Sequence, residues 1–317
     1  MVFLRRLRGR LIDLAFVIAG VSVLVFGFIR MIPGDAVAIM LGANAEVTPE
    51  RIAAVRTRLG LDLPIHEQYV AWLSDVLRGD FGVSIWTGKP VIDEIAAHVW
   101  PTLQLTLLAL ATAVILAIPL GILMARLRGR RGEALVQAGS VVGLTVPPFW
   151  LGIIMILTLS AVAPGVQMLG YVPFSQDPLG NLARLILPAI ALSLPIMANL
   201  ARLLRSTLLE AMQQDYIRTA RAKGVPARRV LYRHALRNAL IPFITSVGIM
   251  AGYLLGGAIV IEQVFAIPGL GRLILGAIAE RNYPLIQATI LLVTCSFVFV
   301  NFAVDVVYAL IDPRISE

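Results

Sequence analysis

The sequence predicts an all-α integral membrane protein with six transmembrane helices and with both termini in the cytoplasm. Hydrophobic residues make up 58% of the chain, charged residues only 15%, and the mean hydropathy is +0.85. A soluble globular chain is about half apolar and about a quarter charged. Uncharged apolar stretches alternate with short arginine-rich loops, and such loops stay in the cytoplasm. The composition therefore predicts an integral membrane protein, and the loop charges predict the orientation of the chain in the membrane.

The net charge of +8 does not indicate a nucleic-acid-binding protein. The basic residues stand in short loops between apolar stretches, where membrane topology accounts for them. The single cysteine, Cys295, lies inside an apolar stretch, which excludes an internal disulfide framework and a cysteine-based metal cluster. We expect Cys295 to be a packed core residue and nucleic acid not to be a partner.

Span one is predicted from about Leu11 to Ile29. Its length matches the roughly 20 residues needed to cross a bilayer. It exceeds the apolar core of about 7–15 residues that is typical of a signal peptide. Four arginines place its start in the cytoplasm: Arg5, Arg6, Arg8 and Arg10.

Residues 32–98 form the longest polar segment, in which acidic residues outnumber basic ones. This balance is opposite to that of the cytoplasmic loops, so we expect the segment to lie outside. One helix is predicted between Thr48 and Gly60, and a second from Pro64 to Leu77. The apolar side of the second helix would consist of Ile65, Tyr69, Trp72, Leu73 and Val76. With span one, this segment forms the predicted domain 1–98.

No nucleotide, metal or catalytic site is predicted in this chain. Gly82 to Lys89 superficially resembles a phosphate-binding loop, but the glycine spacing is one residue too long and Pro90 replaces the required Ser or Thr. His66 and His98 are too few and too far apart for a metal site. Motifs such as HExxH and GxSxG do not occur, so we expect neither a bound cofactor nor enzyme activity.

Residues 99–311 are predicted to form a core of five spans, followed by a short tail at 312–317. Span two covers about Thr102–Ala125. Span three covers Ala134 to about Val162 and is kinked at Pro147–Pro148, because prolines are tolerated where neighbouring helices satisfy the freed backbone groups. Two crossings in this stretch would place the next basic loop outside, against the distribution of charge.

The last three spans are predicted from the remaining apolar stretches. Span four covers about Leu185 to Leu204 and is broken by Pro188 and Pro195. Span five covers Asn238–Ile261, and span six covers about Leu285–Leu310.

The loop at 205–237 between spans four and five is strongly basic, and Glu210 and Asp215 are its only acidic residues. We predict two short helices in it. The first runs from about Leu208 to Lys223 and ends with Gly224 as its C-cap, and the second begins near Pro226. A structured helix–glycine–helix loop favours a docking surface, although the positive charge alone would also serve to fix topology.

Span five carries Gly248, Gly252 and Gly256 on one helix face. Small residues at this spacing let helix backbones approach closely. The face would either line a translocation path or pack statically against a neighbour, and the sequence leaves both open.

Span six carries Thr294, Asn301 and Asp305 on one face. Ionisable groups within a membrane indicate function, but Asp305 lies near the inner end, where pairing with an arginine is favoured.

Several motifs resemble those of permease subunits of binding-protein-dependent ATP-binding cassette (ABC) importers, most of all the dipeptide/oligopeptide/nickel family. ARAKG and then YRHALRNALIP resemble the cytoplasmic loop of that family. RLGLDLPIHEQY, RGDFGVSI and TGKPV resemble its external segment, and E-x-V-F-x-x-P-G-L-G after span five resembles its external turn. The resemblance extends from about Arg58 to Ile315.

The chain departs from the superfamily's loop signature at several positions. Arg218, Thr219 and Ala220 stand at the Glu-Ala-Ala positions, so only the last alanine is kept, together with Gly224. The later Leu-Pro is replaced, and the nearest proline is Pro242.

The resemblance implies a type I ABC importer permease fold in the bacterial plasma (inner) membrane. The implied partners are a second, homologous permease subunit in a heterodimer, two cytosolic ATP-binding subunits that hold ATP and Mg, an external substrate-binding protein and membrane lipid. The residues implied for coupling to the ATPase are Thr219, Ala220, Arg221, Lys223, Gly224, Val225, Arg228 and Arg229. The residues implied for the external turn are Glu262, Pro268, Gly269 and Gly271.

Di- or oligopeptides are the cargo that the resemblance implies first, with a nickel chelate or glutathione as alternatives, and a homodimer remains possible. An ion-coupled secondary transporter is the alternative of another class. It would place ionisable groups at the membrane midplane, where this sequence has almost no acidic residues.

Overall fold

A computed structural model describes residues 2–31 and 62–311, and almost all of this part of the chain is helical. In chain order the helices are α1 (Val2–Met31), α2 (Ile65–Leu77), α3 (Val91–Arg126), α4 (Arg131–Thr145), α5 (Pro148–Val162), α6 (Pro178–Ala211), α7 (Asp215–Ala222), α8 (Ala227–Arg229), a π-helical segment (Val230–Ala235), α9 (Leu236–Gly257), α10 (Ile259–Val264), α11 (Leu270–Ala279) and α12 (Tyr283–Ile311). The helix predicted between Thr48 and Gly60 and the tail at 312–317 lie outside the described residues.

Four helical stretches in the described ranges are long and apolar enough to cross a membrane: Val91–Arg126, Pro178–Ala211, Ala227–Leu254 and Tyr283–Val304. The bent pair α4 and α5 makes a fifth candidate, and α1 contributes a shorter apolar segment, Ile12–Phe28, at the position predicted for span one. The predicted all-α membrane fold is confirmed.

Span three differs from its predicted form in the size of its bend. Instead of one kinked helix, the chain forms α4 and α5, whose axes differ by 99°. Val146 and Pro147 have extended backbones between the two helices, and Pro148 opens α5. Two consecutive prolines remove two backbone donors, and each disfavours helical geometry in the residue before it.

The predicted break in span four is wrong. The helix α6 continues from Pro178 to Ala211 through Pro188 and Pro195. It packs against α4, α5 and α9, and this enclosure holds the helix together where each proline removes a backbone hydrogen bond.

The described residues belong to two compact units, and the first contains those within 3–100 and 270–298. One part of its core joins the start of α3 to α11 and α12, through Val91, Ile95, Ala277 and Ile286. The loop after α2 is tied to the turn between α11 and α12, because Trp86 Nε1 donates to the carbonyl oxygen of Glu280 over 2.8 Å.

In the same unit, α2 packs on α1 through an aromatic cluster. The Phe26 ring lies 5.3 Å from that of Tyr69 and 5.5 Å from that of Trp72, between centroids. The Tyr69 hydroxyl lies 2.8 Å from Ser22 Oγ. Ile65, predicted on this apolar side, is instead 67% exposed, because it stands in the first turn, before the aromatic pair.

The second unit contains residues 101–269 and the described part of 299–317. In α3 a stripe of small side chains, Ala109, Ala113 and Ala117, is fully buried. The stripe ends at Gly121, where an added Cβ would lie only 2.8 Å from the carbonyl oxygen of Ala201. The helices α3 and α6 are therefore in backbone contact at this point.

Candidate functional site

The basic loop begins later than predicted. Leu208 is fully buried within α6, which continues to Ala211. After a short turn, α7 covers Asp215–Ala222. The loop's first helix is therefore shorter than the predicted Leu208–Lys223, because the apolar residues before Met212 still belong to the packed face of α6.

Gly224 closes α7 as predicted. Its φ of +75° lies in the left-handed region that favours glycine. The Gly224 amide donates to the carbonyl of Arg221 over 2.9 Å, and the Val225 amide donates to that of Ala220 over 3.2 Å. These two bonds form a Schellman motif, so the turn is held by the loop's own backbone.

The predicted coupling residues divide into an inner and an outer set. Ala220 is 9% exposed and belongs to the same core cluster as Ile217, Val230 and Ala235, and Val225 is half-buried against that cluster. The exposed residues are Thr219, Arg221, Lys223, Gly224, Arg228 and Arg229. Ala220, the one alanine retained from the family's loop signature, therefore faces the protein core, while the basic residues form an exposed surface.

The second part of the loop contains a feature that the sequence did not reveal. Pro226 precedes α8 as predicted, but the chain then widens into a π-helical segment at Val230–Ala235 before α9. Single π-helical turns are rare and occur often at functional sites. Composition and periodicity carry no signal for one, because it differs from an α-helix only in hydrogen-bond register.

In the first turn of α4, Glu133 is bound by three groups. Its Oε2 accepts from the Gly129 amide over 2.7 Å, and its Oε1 accepts from Arg205 and from Gln137. The Gly129 hydrogen bond, and after it the Arg205 guanidinium, lower the pKa of the Glu133 carboxyl. This contact links the start of α4 to the end of α6.

The turn after α9, which the sequence predicts to be external, is organised around a buried carboxylate. Glu262 is fully buried, and its Oε1 accepts a hydrogen bond from Thr102 Oγ1 over 2.6 Å. A Cβ at Gly269 would overlap this carboxylate, so only glycine fits there. Pro268 precedes Gly269 as part of the turn and is half-buried. Gly271, also predicted here, is buried in α11 of the first unit.

Two cavities of the second unit meet along α4 and α6. The first, of about 620 Å³, is lined by polar side chains that include Gln137, Asn199, Arg202 and Ser206. The second, of about 530 Å³, lies at the corner between α4 and α5 and is lined by Phe149 and Tyr253 among others. Leu144 and Asn199 line both. Asn199 and Arg202 carry no functional signal in the sequence, because they stand at the end of an apolar span, where they resemble ordinary boundary residues.

Comparison with known proteins identifies the family. A family described as "Binding-protein-dependent transport system inner membrane component" matches residues 117–317, and its N-terminal counterpart matches residues 2–106. The chain belongs to this family. It is therefore an inner membrane component, a permease subunit, as the sequence predicted.

The permease is similar to curated proteins over nearly its whole length. It is 41% identical over 312 residues to the glutathione transport system permease protein GsiC of Escherichia coli K12, which covers 98% of this chain and 97% of that protein. It is 38% identical over 306 residues to a probable peptide ABC transporter permease of Sinorhizobium fredii, covering 96% and 97%. A putative peptide transport system permease of Brucella abortus is 41% identical over 295 residues, covering 93% of each chain.

The glycines of span five occupy different surroundings in the permease. A Cβ at Gly248 would overlap the side chain of Val304, with its Cβ only 2.9 Å away. Gly252 is buried, whereas Gly256 is exposed and has nothing within 4 Å of an added Cβ. The Gly248 end of the face therefore packs closely on α12.

The polar residues of span six fall in separate parts of α12. Thr294 lies in the first unit, where its hydroxyl donates to the carbonyl of Ile290 over 2.8 Å. Asn301 lies in the second unit and is half-buried. The side chain of Asp305 lies outside the described residues.

Proposed function

We propose that this chain is a permease subunit of an ATP-driven importer that takes peptides from an external binding protein and passes them through the inner membrane. It works with a second, homologous permease subunit and with two cytosolic ATPase subunits that bind ATP and Mg²⁺. In this arrangement both termini and the loop at 205–237 are cytoplasmic, as the positive-inside rule favours.

The observation that carries this proposal is the form of the coupling loop, residues 212–229. Its basic face is exposed, its turn is closed by its own hydrogen bonds at Gly224, and its apolar face is anchored by Ile217 and Ala220. A loop that served only topology would need positive charge but no folded surface. This folded loop with an exposed basic surface suits a groove on another protein.

The same anchoring supports a route by which force reaches the membrane. Ile217 and Ala220 belong to one apolar cluster with Val230 and Ala235 and with buried residues of α6. A push on α7 is therefore transmitted to α6 and α9 together, because a packed core does not deform continuously. Closure of the ATPase pair would tilt these spans to open the permease outward, and ATP hydrolysis would reset it.

Peptides are the proposed cargo because two of the similar permeases are named for peptide transport. Glutathione is a second candidate, because the permease named for glutathione transport is 41% identical over nearly the whole chain. Glutathione is itself a tripeptide, so the two proposals share a chemical class.

The test is uptake by the full complex, with its binding protein, reconstituted in proteoliposomes. Tri-alanine, glutathione and a nickel chelate would be supplied separately, with and without internal ATP and with a proton ionophore. We expect ATP-dependent uptake of a peptide that the ionophore leaves unchanged. Uptake that persists without ATP and is abolished by the ionophore would indicate an ion-coupled carrier instead.

A further inference from the structure

One wall of the 620 Å³ cavity between α4 and α6 carries an exposed arginine, Arg202, that has no carboxylate partner in the described part of the chain. Arg202 and Arg205 both line this cavity. Arg205 is paired with Glu133, whereas Arg202 makes no ion pair with a described residue.

Glu133, whose carboxylate pairs with Arg205, makes no ion pair with Arg202. Oε1 accepts from Arg205 and Gln137, and Oε2 accepts from the Gly129 amide. Three acceptor positions of this carboxylate are therefore taken by other groups, and Arg202 has no carboxylate partner among the described residues.

The surroundings of Arg202 add neutral polar groups that suit an organic anion. Asn199, Gln137 and Ser206 line the same cavity and supply amide and hydroxyl groups beside the guanidinium. Arginine presents its donors in a planar fork that matches the two oxygens of a carboxylate. A volume of about 620 Å³ lies within the range of roughly 300–1,000 Å³ that small-molecule sites occupy.

We propose that this cavity is a binding site for the terminal carboxylate of peptide cargo, with Arg202 as its ligand, on the inner half of the translocation path. The inference rests on the proposed function and adds to it the chemical group that is recognised. We place it on the path because it shares the lining residues Leu144 and Asn199 with the 530 Å³ cavity at the corner of α4 and α5. A cargo that leaves the corner cavity towards the coupling loop meets Arg202 next.

The same charge would also suit the phosphate of an anionic lipid, so the experiment must separate the two. A lipid site needs only a basic residue near the membrane surface. The cavity adds amide-bearing side chains and a connection to the interior of the span, and both favour a peptide.

The test measures the Kd of tri-alanine and of tri-alanine C-terminal amide for the assembled, nucleotide-free transporter without binding protein, in nanodiscs of phosphatidylcholine. We expect wild type to prefer the free acid, and Arg202→Gln to raise the Kd of the acid about tenfold, since a charge-assisted hydrogen bond is lost. The Kd of the amide should not change. Arg202→Lys should retain part of the preference for the free acid. Arg126→Gln should retain all of it, because Arg126 is a basic residue at the end of α3 that does not line this cavity.

Three results would overturn the proposal. Equal binding of the acid and the amide by wild type would deny recognition of the carboxylate, and so would an equal weakening of both by Arg202→Gln. In nanodiscs that contain phosphatidylglycerol, an Arg202-dependent retention of that lipid without any acid preference would assign the site to lipid. If wild-type complexes still import tri-alanine with ATP in these cases, the proposed function stands and only the cavity assignment fails.

Discussion

Replacing Gly224 with alanine would test the coupling loop with little change in size. The residue has φ of +75°, and an added Cβ would meet nothing within 4 Å. The substitution therefore acts only through the backbone, where a left-handed conformation costs an L-residue about 1–2 kcal/mol. A penalty of that size changes the ratio of native to altered loop conformations by roughly 5- to 30-fold. We expect ATP hydrolysis stimulated by the binding protein to decrease, by at most that factor, because the activity follows the population of the native loop.

The chain supplies a matched control in Gly129, which also has φ of +75° and open space around its Cβ position but lies in the turn between α3 and α4. Gly129→Ala carries the same backbone penalty and should leave stimulated hydrolysis near that of wild type. Gly224→Asn should restore much of the activity, because asparagine tolerates the left-handed region. Gly224→Glu, which adds a negative charge to the basic surface, should abolish coupling while the protein still inserts in the membrane.

The assay is ATP hydrolysis by complexes in proteoliposomes, with and without binding protein, normalised to the amount of assembled complex. Normal stimulation in Gly224→Ala would refute the reasoning. An equal loss in Gly129→Ala would show that the effect of backbone strain is not specific to the coupling loop.

Three further predictions concern stability, measured as Tm in detergent. A Cβ at Gly121 would lie 2.8 Å from a carbonyl oxygen of α6. Gly121→Ala should therefore be about 1–3 kcal/mol less stable than Gly139→Ala, in which the added Cβ meets nothing within 4 Å. Equal Tm values for the two variants would contradict the close approach of α3 and α6. Glu262→Ala removes a fully buried acceptor and should cost about 1–3 kcal/mol, and an unchanged Tm would exclude its role in the turn. The pKa of Glu133 is lowered from 4.5 by its backbone hydrogen bond and by Arg205. The Tm of wild type should therefore exceed that of Glu133→Gln at neutral pH, and this advantage should be lost as the pH falls below 4.5 and through the lowered pKa. A Tm difference that persists in acid would contradict this linkage.

The sequence was most informative where charge and length decide the outcome. Apolar stretches predicted the spans, and Gly224 was recognised as a C-cap because few other residues adopt its backbone conformation. The bend at Pro147–Pro148 was located correctly because proline acts locally. Its angle of 99° was not predictable, since the packing of α4 and α5 against α6 determines it.

The errors have a common physical origin in tertiary packing. Pro188 and Pro195 were expected to break span four, but neighbouring helices keep α6 continuous. The same packing extends α6 through Leu208, which shortens the loop helix. Within the cavities, Arg202 has no ion-pair partner in the described part of the chain because Glu133 pairs with Arg205, and no local pattern encodes a pairing across 72 residues.

The corner between α4 and α5 has a consequence for hydration inside the membrane. In an uninterrupted helix, the amides at positions 147 and 148 would donate to the carbonyls of Gly143 and Leu144, but both positions are proline and have no amide hydrogen. Carbonyls without donors are costly in hydrocarbon, and the adjoining cavity of about 530 Å³ has ample room for water molecules. We expect ordered water at this corner, so that a polar solute would remain hydrated as it passes through the membrane.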